Sequence, residues 1–324
     1  MNSTVKKYDC LIIDIVNFCY KLFTYKKEKN QVIQVGSKLV YLESIKSAIK
    51  SIDSLAEKYL HSGGQVYILF DNYYSRADLK SSFLFADRKS LDEAYKETRK
   101  KENREFYNSV NFLKYFYIIG PSKYHTAQIT GLEADDLLKP LLTLPQCKDK
   151  KCLLVTSDLD WARYLSNNPI IDWLPSLSED PQSIEDLSQS LGFPVTEDNI
   201  ELYKAIFGDA SDNIDPLIRE NPERKAQFIE ILKKLNYPEE IILFSRDSDK
   251  KKKWSLLEAV SAKERQFLIN LQLVSSIPCK PENLKEVLTD GNNSTILYRT
   301  VCEAIGLIET EKQFSFGNVR RPRV

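Results

Sequence analysis

Histidine is almost missing: the 324 residues include two, His61 and His125. That excludes most zinc chemistry and the acid–base mechanisms built on imidazole. His125 lies in "SKYHTAQ", which reads as a loop with an exposed ring. The cysteines Cys10, Cys19, Cys147, Cys152, Cys279 and Cys302 contain no C-x-x-C pair. They read as thiols in a reducing compartment, not as a zinc or redox motif. No G-x-S-x-G, G-x-x-x-x-G-K-[ST] or G-x-G-x-x-G occurs, which removes the nucleophile-elbow, P-loop and dinucleotide signatures. No apolar run approaches the ~18–20 residues of a membrane span, and "MNSTVKKYDC" at the start has no signal-peptide apolar core. A cytoplasmic protein without membrane contact is expected. Net charge is absent too, with 46 basic against 46 acidic side chains. A neutral total neither argues for a nucleic-acid partner nor excludes one, because charge can be segregated. Chemistry must therefore come from carboxylates, lysine, arginine and tyrosine.

What is present is ample apolar material. The chain is 42% hydrophobic and 28% charged, enough for one large or two ordinary domains. "CLIID" (10–14), "QVYILFD" (65–71), "YFYIIG" (115–120) and "CLLVTSD" (152–158) read as buried strands, three of them ending in an acid. Between the first two, Leu42, Ile45, Ile49, Ile52, Leu55, Ala56, Tyr59 and Leu60 recur at helical spacing, and Gly63 and Gly64 are expected to stop that helix. Strands alternating with helices predict an α/β fold: a mostly parallel central sheet flanked by helices. A polar, helix-forming stretch rich in Lys, Arg and Tyr interrupts the alternation at about 73–114. After about residue 190 the pattern becomes helical, with turns at Gly208, Pro216 and Pro222, and a basic tail closes the sequence. The expected division is 1–190 for the α/β part with its insertion and 191–324 for the helical part.

Acids concentrate where these elements end. Asp14, Asp71 and Asp158 close expected strands, and parallel strands put such ends on one edge, where open α/β sheets bind ligands. Asp160 follows in the next turn. "GLEADDLLKPLL" (131–142) packs Glu133, Asp135 and Asp136 at the mouth of an apolar helix. Alone, that stretch is a well-started helix: acids in the first turn complement the dipole, and Thr130 can cap it. The helix leads into "CLLVTSD", however, so its start shares the edge with the strand-end acids. Asp209 and Asp212 in "GDASDN" add a further pair. Nine like charges this close resist ionising together. Hard divalent cations prefer oxygen ligands, and nine carboxylates suit two ions about 4 Å apart better than one. Setting these acids aside leaves a basic excess available to a phosphate backbone.

Together, "LIID", "LFD", "GLEADD", "VTSDLD" and "GDASDN" resemble the successive acidic motifs of the 5′-nuclease superfamily of flap endonucleases and 5′→3′ exonucleases, over about residues 10–235. Within it, the length and the region after "SDN" look most like phage enzymes of the T-even ribonuclease H type, which would place the protein in a host cytoplasm. The resemblance implies a PIN-like nuclease sheet with a helical arch, and a phosphodiesterase using two Mg²⁺, with Mn²⁺ able to substitute. Asp71, Glu133, Asp135 and Asp136 would form the first metal group and Asp158, Asp160, Asp209 and Asp212 the second, with Asp14 orienting ligands or waters. "AYKETR" matches the arch motif: Tyr95 would stack on a terminal base, and Lys96 and Arg99 would meet the scissile phosphate. Arg88, Lys100 and Arg104 would extend the phosphate-binding surface.

The expected substrate is DNA with a free 5′ end (a flap, nick or primer junction) or an RNA–DNA hybrid, handled by a monomer that could meet replication proteins. One departure stands out. The family's glycine-rich hairpin after "SDN", which offers backbone N–H groups and often holds a monovalent cation, is replaced by the glycine-free "IDPLIRENPERKAQF". This counts against a bound K⁺ and predicts that Arg219, Arg224 and Lys225 contact duplex by side chain. Two other readings stay open: a PIN-type ribonuclease, which would be shorter and lack the arch and "GDASDN", and a non-catalytic binder of branched DNA, which would tolerate gaps in the acidic set. If Lys96 meets the scissile phosphate, it matters more in the transition state than in the ground state. Lys96→Ala should then slow single-turnover cleavage roughly ten- to a thousandfold while substrate affinity, measured in parallel, changes far less.

Overall fold

The computed structural model describes residues 7–24, 31–71, 104–167, 170–247, 249–250 and 254–307. Its centre is a six-stranded sheet. Strand β1 (Tyr8–Asp14) lies between β4 (Leu60–Leu69) and β6 (Cys152–Val155), with β5 (Tyr124–Ala127) and β8 (Thr289–Asp290) outside β4 and β7 (Ile171–Leu174) outside β6. All neighbours pair in parallel except β8, which runs antiparallel to β5. β2 (Val32–Val35) and β3 (Lys38–Tyr41) form a separate antiparallel hairpin.

Alternation along the central strands sorts the core into two layers, because successive side chains leave opposite faces. Cys10, Ile12, Tyr67, Leu69, Cys152 and Leu154 face one apolar cluster, and Leu11, Ile13, Val66, Ile68, Leu153 and Val155 face the other. The second face is covered by α1 (Ile15–Thr24), α2 (Leu42–Tyr59) and α3 (Arg104–Ile119). α2 buries Leu42, Ile45, Ile49, Ile52, Leu55, Ala56 and Tyr59, the stripe its spacing predicts. The first face carries α4 (Ala134–Thr143), the short α5 (Leu159–Ala162) with its 3₁₀ continuation Arg163–Asn167, α6 (Ile184–Leu191) and α7 (Glu197–Phe207). Then follow α8 (Pro222–Leu232), α9 (Glu240–Arg246), α10 (Ser255–Ala262), α11 (Glu264–Val274) and α12 (Pro281–Val287). One continuous cluster runs from Ile12 through Ile200, Ile206 and Phe267 to Leu284, so residues on both sides of position 190 share a core.

Three local expectations need correction. "YFYIIG" is not a strand: it closes α3, with Phe116 and Tyr117 buried and Tyr115 exposed. A short apolar run cannot be assigned by periodicity alone. The strand is Tyr124–Ala127, inside the segment read as a loop. There the His125 ring stacks on Tyr67 at 4.7 Å, with its nitrogens 2.7 Å from Asp290 Oδ1 and Gln65 Oε1, so it is not a free surface ring. The third concerns Gly63 and Gly64, which do not end α2. The helix stops at Tyr59, and the glycines lie within β4, where Tyr8 pairs with Leu60 but Cys10 already pairs with Gln65. The bulge between them brings Asp9 carbonyl so close to Gly64 that a Cβ there would sit 3.2 Å from it. Residues 104–114, assigned to the insertion, form the first part of α3 and bury Phe106, Val110 and Leu113 against the sheet layer. None of the six cysteines forms a disulfide, and among the described residues no helix is long and apolar enough to cross a membrane.

The end of the described chain returns to the sheet. After β8, Gly291 N–H donates to Tyr124 carbonyl, and Asn292 and Asn293 N–H donate to Ile118 and Gly120 carbonyls. α13 (Thr295–Ala304) then sets Tyr298 against Phe116, ring centres 4.9 Å apart. The fit leaves no room at Gly291: a Cβ would lie 2.2 Å from Pro121 carbonyl oxygen. Gly291→Ala should therefore cost about 1–3 kcal/mol, as overpacked sites do, read as a lower urea midpoint with an unchanged m-value.

Candidate metal centre

β1 is the switch point of the sheet. The chain lays β4 and β5 on one side of it and returns to lay β6 and β7 on the other. In parallel sheets the crevice at such a point is where ligands sit. Asp14 ends β1 there. Its Oδ1 accepts Asn17 N–H at 3.1 Å, and its Oδ2 accepts the Thr156 hydroxyl at 3.3 Å across the crevice. Burial raises its pKa well above the ordinary value, and the charges of Asp71 and Asp158 add to the rise.

Asp71 follows β4 and accepts Ala134 N–H at 2.7 Å, which fastens the start of α4 to the end of that strand. The N-cap of α4 is Glu133, not Thr130. In the first turn, the two neighbours take different roles. Asp136 accepts Glu133 N–H at 3.1 Å on one oxygen and Ile277 N–H at 2.7 Å on the other, so both of its oxygens have backbone donors. Asp135 accepts from Arg163 at 3.1 Å. Burial and Asp136 raise the Asp135 pKa well above normal, while Arg163 opposes them.

The second group gathers more tightly. Asp158 caps α5, accepting Asp160 N–H at 3.0 Å, while its own N–H donates to the Thr156 hydroxyl. Asp209 and Asp212 lie in a tight turn after α7. Asp209 and Ile214 exchange both backbone hydrogen bonds at 2.9 Å, and the Asp209 carboxylate accepts Ser211 N–H at 2.8 Å. Gly208 opens this turn at φ +78°, where a Cβ would meet Ile214 carbonyl oxygen at 2.6 Å. Asn270 of α11, fully buried, holds the turn from behind by donating to Ala205 and Asp215 carbonyls. Carboxylate oxygens of Asp160, Asp209 and Asp212 all lie within 4.8 Å of one another. An all-oxygen donor set without His or Cys suits a hard divalent cation.

Two buried cations thread this group, and the sequence reading missed both. Lys204 of α7 places Nζ 2.7 Å from Asp160 Oδ1 and from Asp209 Oδ2, and 3.9 Å from Asp158 Oδ1. Arg163 donates to Asp160 and Val274 carbonyls and pairs with Asp135, Asp160 and Glu201 at 3.1–3.2 Å. Burial works against both charges, yet the surrounding carboxylates raise both pKa values above normal. Burial also pushes Asp158 up to about 6, with Asp160 adding and Lys204 opposing. For Asp209, burial raises the pKa, but Lys204 and Ser211 more than offset it, so the net shift is downward. The available signal was in α7, where Glu201 and Lys204 interrupt the buried run of Ile200, Leu202, Ala205 and Ile206.

Of the expected phosphate contacts, Arg88, Tyr95, Lys96, Arg99 and Lys100 lie outside the described residues. Arg104 is exposed at the start of α3. α7, the turn and α8 make a helix–loop–helix. Asn221 caps α8, Arg224 donates to Arg219 carbonyl, Lys225 lies 3.8 Å from Glu220, and Arg219 is exposed.

Residues 9–190 match the family model for the 5′-3′ exonuclease N-terminal, resolvase-like domain. No curated protein sequence matches the chain. Its fold is similar to that of a T5 protein co-crystallised with metal ions (TM-score 0.59, 17% identity, covering 91% of this chain and 98% of that one). It is also similar to a bacteriophage T5 flap endonuclease in a pseudo-enzyme-product complex with DNA and metal ions (TM-score 0.59, 17% identity, 92% and 99%). A zinc-bound T5 5′-exonuclease matches with TM-score 0.57, 17% identity and coverage of 91% and 99%.

The Asp158 shift sets a pH dependence. Folded, this carboxyl keeps its proton up to about 6, against an ordinary 3.8. Between those values the folded state binds the extra proton, so its contribution to stability should fall as pH rises from about 4 to about 6 without divalent ions. Urea denaturation across that interval checks it: Asp158→Asn should lack this part of the slope.

Proposed function

The chain belongs to the 5′-3′ exonuclease N-terminal, resolvase-like domain family, and from that premise we propose that it is a divalent-metal-dependent, structure-specific 5′-nuclease. One observation carries the reading. Carboxylates of Asp160, Asp209 and Asp212 come within 4.8 Å of one another, and Asp14, which ends β1 at the switch point of the sheet, is close enough to Asp71 and Asp158 to feel their charges. Two Mg²⁺ ions, with Mn²⁺ able to substitute, would supply Lewis acidity and an activated water for in-line attack on a phosphodiester.

The chain's own residues do the rest. Asp158, Asp160, Asp209 and Asp212 would hold one ion. Asp71, Glu133, Asp135 and Asp136 would hold the other, with Asp14 orienting ligands or waters; Asp136 also ties α4 to the segment after α11 by accepting two backbone N–H groups. Lys96 and Arg99 would stabilise the charge developing on the scissile phosphate, and Tyr95 would stack on a terminal base. In this reading residues 1–190 perform the cleavage and 191–324 grip duplex through Arg219, Arg224 and Lys225, without a K⁺-bridged hairpin. The substrate is DNA with a free 5′ end at a flap, nick or primer junction, or an RNA–DNA hybrid. The role is primer removal or flap processing by a monomer in the cytoplasm, alongside replication proteins.

Digestion of end-labelled flap, nicked and single-stranded substrates tests this, first with Mg²⁺ and then with EDTA. Cleavage measured from 5′ ends should require Mg²⁺. Asp158→Asn should abolish most of it yet leave branched-DNA binding intact, since removing a negative charge cannot weaken attraction to phosphate. Undiminished Mg²⁺-dependent cleavage by that variant would sink the assignment.

A further inference from the structure

Lys204 is a buried ammonium aimed into the acidic group, and it is not an ordinary ion pair. Its Nζ touches Asp160 and Asp209 at 2.7 Å and faces Asp158 at 3.9 Å. Asp212 shares the same cluster of oxygens. Arg163, the other buried cation, is divided among Asp135, Asp160 and Glu201 and reaches neither Asp158 nor Asp209. Among the described residues, neutralisation of the Asp158–Asp209 side therefore falls to Lys204. An ammonium in contact with two of the four candidate ligands, Asp160 and Asp209, occupies the charge environment that a divalent ion would need, and any ion bound there must sit a few ångströms from it.

We propose that Lys204 is the resident cation of this group. In protein free of nucleic acid it takes the electrostatic place of a second divalent ion. The protein then binds one divalent ion tightly and a second only weakly, until a phosphate group brings negative charge to offset the crowding. This deepens, and rests on, the two-metal reading of the acidic edge. The converse duty is structural. Without divalent ions, Lys204 holds the α5 and α7 ends of the group together against the mutual repulsion of their carboxylates.

The test is Mn²⁺ titration of the full chain without DNA, by calorimetry and by the electron paramagnetic resonance of free Mn²⁺. Wild type is compared with Lys204→Met, and with Lys204→Gln should the first variant fold poorly. The wild type should show one tight site. The variants should gain a second, with Mn²⁺ binding there at least about tenfold tighter, because the repulsion between cations a few ångströms apart is relieved. Their thermal midpoint should drop in EDTA and recover with Mn²⁺, whereas Lys204→Arg, which keeps the charge, should retain the wild-type stoichiometry. Equal Mn²⁺ binding by wild type and charge-removed variants would overturn this inference and leave the metal reading standing. No Mn²⁺ binding by any of them would overturn the metal reading, and the inference with it.

Discussion

Carboxylates repel, and this chain drives several of them to one end of a sheet. Everything at that end follows from how the repulsion is contained. Three means are visible. Backbone N–H groups donate to both oxygens of Asp136 and to one oxygen each of Asp14, Asp71, Asp158 and Asp209. Protonation is favoured at Asp14 and Asp135, where burial dominates. Among the described residues, two buried cations, Arg163 and Lys204, are the third means. Buried charge is costly unless each partner is satisfied, and removing one member of such a set typically costs about 3–5 kcal/mol. Arg163 meets that condition by adding two carbonyl acceptors to its three carboxylates.

The containment works only because the fold delivers these groups together. Parallel pairing of β1 with β4 and β6 sets Asp14, Asp71 and Asp158 on one edge. The hydrogen bond from Ala134 to Asp71 then fixes where α4 begins. Asn270 and Gly208 fix the turn carrying Asp209 and Asp212, from two elements well separated in sequence. The α11 layer is thus part of the site's support, although none of its side chains was a candidate for the chemistry.

Much of this was readable in advance, for definite reasons. Central parallel strands are apolar on both faces, and "CLIID" and "QVYILFD" say so without ambiguity. The α2 stripe is long enough for its period to be plain. Acids at strand ends are legible because direction and edge follow from parallel pairing. Where the reading failed, the information was not local. "YFYIIG" is as apolar as a strand, and only its packing, with Tyr115 outward and Phe116 and Tyr117 inward, reveals a helix end. The brief β5 lies among polar residues, and its partners are Val66–Leu69 of β4 and Thr289–Asp290 far along the chain. Arg163 and Lys204 look like ordinary helix-surface charges until the tertiary structure buries them. That Asp136 accepts two backbone N–H groups while Asp135 pairs with arginine cannot be told from two adjacent aspartates.

The edge strand β5 carries a separate implication. Its outer hydrogen-bonding side is closed by Thr289–Asp290, and α13 then packs over α3, so the sheet is completed by residues that leave the ribosome 134 positions after the end of β6. During synthesis the nascent nuclease sheet therefore exposes an open edge for many seconds, at roughly 5–20 residues per second. Unpaired edges recruit other strands. The late-arriving segment is thus a self-supplied cover for the translation intermediate, and a ribosome stalled before it would release a chain prone to aggregate instead of a smaller working nuclease.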